Sequence, residues 1–119
     1  MEKTYEINGV TLKINMDDAG FCKKYEDAFE TMLSESKIIK EMKDKNKKQY
    51  EIITAYCGAF YHLFDNIFGP GTGSRLFEGK HDAEVCENAY RDFINICKTQ
   101  VVESAKRRES IIAGVFRHD

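Results

Sequence analysis

One proline, Pro70, is all that 119 residues contain, and no apolar run approaches the roughly 20 residues needed to span a bilayer. A membrane-spanning helix is therefore not expected. The opening Met1-Glu2-Lys3-Thr4-Tyr5 has no apolar h-region of a signal peptide, so the cytoplasm is the expected location. The formal net charge is only −2, too near neutral to argue for nucleic acid or an anionic membrane surface as a partner. Cysteines number four, Cys22, Cys57, Cys86 and Cys97, with none in a C-x-x-C pair and no histidine at ligand spacing from any. Set in apolar surroundings, they read as small buried hydrophobes, and neither a metal nor a cofactor is expected.

What is present is enough for one domain. A chain of this length buries roughly two-thirds of the surface that its unfolded form exposes, which suffices for a core without disulfides. The lone proline and four of the eight glycines crowd into Phe68 to Lys80, where continuing a helix is costly. Helical patterns run into this stretch and out of it. Residues 69–81 are expected to form an ordered elbow, with Leu76 and Phe77 folding back onto the core.

Before it, Asn8-Gly9 separates two alternating segments, and this dipeptide favours a two-residue type I′ turn. A β-hairpin is predicted over about 4–15, with Tyr5 and Ile7 facing the core beside Val10, Leu12 and Ile14. A lone hairpin is marginal in water, so it must lie on helices or pair with another chain's strand. Phe21, Cys22, Tyr25, Ala28, Phe29, Met32 and Leu33 recur at helical steps, giving a first helix over about 18–43 with acids at its start. Ile53, Tyr56, Cys57, Phe60, Leu63, Phe64 and Ile67 mark a second, central helix over about 48–68. A third, over about 82–108, has Asp82 as its N-cap, and Lys106-Arg107-Arg108 reads as its basic C-terminal end. The fold class is mainly α (α+β): one hairpin and three long helices in a small bundle.

Tests for chemistry fail. A phosphate loop needs four spacers between Gly and Gly-Lys; five separate Gly73 from Gly79-Lys80, and His81 stands where the hydroxyl belongs. His62 and Asp65, one turn apart, have the spacing of an acid/base pair, but more simply form an exposed hydrogen-bonding pair. Two surface features remain as candidate partner-binding sites. One is the lysine-rich turn between the first two helices, represented by Lys40, Lys43, Lys47 and Lys48. Without interleaved aromatics or arginine it reads as a solvated helix end more readily than as a nucleic-acid contact. The other is the apolar Ile111, Ile112, Val115 and Phe116, which either continue the third helix and dock on the core or await another protein.

Three stretches carry a family resemblance: Tyr5 to Ile14; Phe64-Asp65-Asn66-Ile67-Phe68-Gly69-Pro70-Gly71-Thr72 with Leu76-Phe77-Glu78-Gly79; and Cys86 to Phe93. Together they resemble small prophage proteins of Firmicutes, which are similar in size and genome setting to phage tail assembly chaperones. The resemblance implies a non-enzymatic binder whose partners are the phage tape measure protein, kept soluble, and the tail tube protein that polymerises around it. Self-association is also expected, through an apolar helix or an exposed hairpin edge. The competing expectations are a structural virion component, such as a head–tail connector or completion protein, and a DNA-binding regulator acting through the lysines.

Overall fold

The computed structural model describes residues 3–117. Strands β1 (Thr4–Ile7) and β2 (Val10–Lys13) pair antiparallel, with Tyr5 opposite Leu12 and Ile7 opposite Val10. Asn8 and Gly9 both take positive φ, 50° and 76°, as a type I′ turn requires. Ile7, Leu12 and Ile14 are buried, and the turn is pinned by the Asn8 side-chain amide, which donates to the Leu76 carbonyl at 3.1 Å. The hairpin lies on the helices.

Helices α1 (Ala19–Asp44) and α2 (Gln49–Phe68) form an antiparallel pair joined by a turn in which Asn46 adopts positive φ. Asp18 caps α1 by accepting from the Phe21 amide. At the far end of the pair Phe21 meets Phe68, ring centroids 5.9 Å apart. The elbow contains a helix the sequence does not announce, α3 (Thr72–Phe77). Its amide at Gly73 is capped by the Asp65 carboxylate at 2.7 Å. Its approach to α2 requires glycine, because a Cβ at Gly73 would lie 2.9 Å from the Tyr61 Cα. The three long helices are thus joined by a fourth, short one.

Helix α4 (Ala83–Phe116) starts on Asp82, whose carboxylate accepts from the amides of Glu84 and Val85. It runs parallel to α2. The Tyr56 hydroxyl donates to Glu87 at 2.6 Å, and the rings of Phe60 and Phe64 meet Tyr90 and Phe93 at 5.4 Å each. Tyr25 and Phe29 of α1 close the other side against Phe93 and Tyr90. The core is this aromatic stack, extended by Leu63, Ile67, Leu76 and Phe77.

Two expectations about α4 need correcting. The helix does not end near 108 but continues to Phe116, so Lys106, Arg107 and Arg108 lie within it. Arg107 binds Asp17 at 2.6 Å and Arg108 donates to Ser104, instead of meeting a helix terminus. At ~1.5 Å per residue its 34 residues span about 51 Å, most of the molecule's 67 Å long axis. One end of that axis is the α1–α2 turn and the other is the last three turns of α4.

Candidate partner-binding surfaces

The candidate residues occupy opposite ends of the molecule. Lys40 and Lys43 stand exposed on the last turns of α1, and Lys47 and Lys48 lie in the turn leading to α2. Acids are interspersed among them, with Lys45 and Glu41 at 4.0 Å. At the other end, Ile111, Ile112, Val115 and Phe116 are 54–77 % exposed. They continue α4 but do not dock on the core. The structure therefore brings each set together and keeps the two sets apart.

The exposure of the second set follows from where α4 loses its support. Its buried residues Cys86, Ala89, Phe93, Cys97, Gln100 and Ser104 recur at three- and four-residue steps. The next members of that series are Arg108, Ile111 and Val115, which have passed the end of the other helices. The last support is polar. Gln100, buried, accepts from the Met16 amide through Oε1 and donates through Nε2 to the Tyr5 hydroxyl and the Ile14 carbonyl, all at 2.8 Å. One turn further, Ser104 and Arg107 both donate to Asp17 Oδ1, while Lys3 holds Oδ2 at 2.7 Å. Lys3, then Ser104 and Arg107, hold the Asp17 carboxyl well below the usual carboxylate range. This clamp fixes the base of the exposed segment.

Other titratable groups have structural partners. His62 does not pair with Asp65: its Nδ1 meets Glu35 Oε2 at 2.5 Å, while Asp65 serves the Gly73 amide. His81 stacks on Tyr61, centroids 4.8 Å apart. His62, His81 and Glu35 share the rim of an open groove of about 370 Å³ floored by Ala55 and Gly58; Asp65 and the cysteines are not among its lining residues. Glu35 Oε1 is buried with no hydrogen-bond partner among the described residues. Cys57, Cys86 and Cys97 are buried, and burial first of all pushes the thiols of Cys86 and Cys97 up to about 12. Protonated at neutral pH, they pack as apolar groups. Among the described residues no group of three or more His, Cys, Asp or Glu is placed to hold a metal ion. No helix among them is long and apolar enough to cross a membrane.

Sequence reasoning did not find Gln100. Its only local signal is a polar side chain on the apolar stripe of α4, between Cys97 and Ser104.

Neither the curated proteins nor the solved structures contain a match to this chain. Residues 8–113, from the hairpin turn to the exposed end of α4, match the model of a family of unknown function, DUF6673, and the chain belongs to that family.

Proposed function

We propose that this protein is a non-enzymatic assembly factor of the phage tail assembly chaperone kind, one that keeps a tape measure protein soluble in the bacterial cytoplasm during tail assembly. The observation that carries the reading is the free end of α4, where Ile111, Ile112, Val115 and Phe116 stand in solvent on a well-formed helix. Burying a Val, Ile or Phe side chain is worth about 1.5–3 kcal/mol, so four such groups favour an apolar helical client. A long amphipathic client offers such surface along its length and aggregates while it is uncovered. The lysine-rich turn, at the other end of the molecule's 67 Å long axis, is a second contact for acidic segments.

Co-expression with a tape measure fragment tests this. The fragment is expected in the soluble fraction together with the chain, and in inclusion bodies when Val115→Asp and Phe116→Asp are introduced together. A client that stays insoluble beside the unaltered chain overturns the reading. Mass spectrometry of finished particles separates it from a structural virion component: a chaperone is absent from the tail, a connector is retained.

A further inference from the structure

We infer that the free end of α4 seats on the α1–α2 tip of a second copy of this chain, head to tail. The inference uses the same Ile111 and Val115 as the client contact proposed above, but its test contains the chain alone and does not depend on a client.

Both halves of the contact extend an interface that already exists within one molecule. On the helix side, Ile111 and Val115 prolong the stripe Phe93–Cys97–Gln100–Ser104 with which α4 packs on its own chain. On the groove side, α1 and α2 continue past the point where α4 begins. Tyr56 and Phe60 contact Glu87 and Tyr90 in the first two turns of α4. Beside these contacts is a mainly apolar groove of about 200 Å³ between the two helices, lined by Met32, Ser36, Ile39, Tyr56 and Phe60, with Lys40 at one end. Leu33 stands exposed beside Met32, and Tyr50 stands exposed farther along α2 toward the turn. The α1–α2 pair thus carries an apolar groove that its own α4 borders but does not fill.

The lengths agree. From Arg108, just past the Asp17 clamp, to Phe116 the overhang of α4 is about 12 Å; from Ser36, level with the start of α4 when counted from the Phe29–Tyr90 contact, to Asp44 the uncovered end of α1 is also about 12 Å. Because α4 runs parallel to α2, its overhang and the empty groove lie at opposite ends of the long axis. A second copy displaced along that axis brings its overhang into the groove in the direction that α4 already takes, stopping against the first turn of the resident α4. The two surfaces differ, so the contact is heterologous and repeats: the second copy offers its own groove to a third.

Charge does not drive the contact. The groove end mixes Lys40 and Lys43 with Glu41 and Asp44, and the overhang mixes Arg108 with Glu109. Apolar burial drives it, and raising the salt concentration should leave it in place. Three turns of helix cover less than the roughly 1,600 Å² of a standard interface, so the association should be reversible and concentration-dependent.

Sedimentation equilibrium of the full chain tests the inference. The average mass is expected to rise above 13.7 kDa with increasing concentration. The double variant Ile111→Asp, Val115→Asp should remain a monomer, and so should the groove variant Ser36→Arg, each with an unchanged helical circular dichroism spectrum. Mixing the two variants pairs the intact overhang of Ser36→Arg with the intact groove of the double variant and should give a species of twice the monomer mass and nothing larger. Three results would overturn the inference: a wild-type chain monomeric at all concentrations, a Ser36→Arg chain that associates as the wild type does, or a mixture that stays monomeric. The second of these would indicate pairing of two α4 ends.

Discussion

The two halves of α4 share one helix and one apolar period but not one environment. Between Ala83 and Ser104 the stripe meets α1, α2 and the hairpin; between Ala105 and Phe116 it meets solvent. Phe93 is fully buried, whereas Phe116 is 77 % exposed. Periodicity alone therefore marks a face that can be buried, and the lengths of the neighbouring elements decide whether it is. α2 ends against Phe93, and the hairpin with the segment leading into α1 reaches only to Gln100, Ser104 and Arg107, so the same pattern is core before that clamp and surface after it.

The contrast can be broken most severely from inside. Phe93→Ala removes the ring on which Tyr25, Phe64 and Phe68 converge, and should cost about 3–5 kcal/mol in urea unfolding. At the boundary, Gln100→Ala leaves the Met16 amide and the Ile14 carbonyl without their partner and should cost about 2–3 kcal/mol. Amide exchange should quicken in the hairpin more than in α2, because the lost bonds tie that region to α4.

A smaller effect is expected one turn further along. Asp17→Asn should lower the melting temperature by less than Gln100→Ala does, and only at neutral pH. The carboxyl is depressed in the folded state, so its contribution is complete above the ordinary value of 3.8 and fades as pH falls from there toward the depressed one. The wild type and Asp17→Asn should therefore converge in melting temperature in strong acid. Smallest of all, Phe116→Ala should change the stability of the isolated chain by no more than about 0.5 kcal/mol. A large loss there would mean that the end of α4 is covered even in the monomer.

How much of this was legible in the sequence depended on the range of the interaction. Asp18 and Asp82 were readable as caps because each bonds amides two or three residues away. Asn8-Gly9 was readable for the same reason. α3 was not, since a six-residue helix set among glycines has little propensity of its own and is held by Asp65 and by contact with Tyr61. The extent of α4 was misjudged because Lys106-Arg107-Arg108 resembles a basic terminus, yet among the described residues no proline or αL residue follows to stop the helix. Their partners, Asp17 and Ser104, belong to a clamp that no local window contains. The acid/base spacing of His62 and Asp65 likewise gave no warning that Glu35 on α1 would claim the imidazole.

The bond between Tyr5 and Gln100 joins residues 95 positions apart, and this bears on how the protein is made. At about 5–20 residues per second, a ribosome needs roughly 5–20 s to add the second partner after the first. For that interval the newborn hairpin has neither its glutamine anchor nor the helix that carries it, and two strands by themselves are marginal in water. Tyr5, Ile7, Leu12 and Ile14 must wait uncovered on the nascent chain, so this small sheet, first to be translated, is among the last parts to become secure.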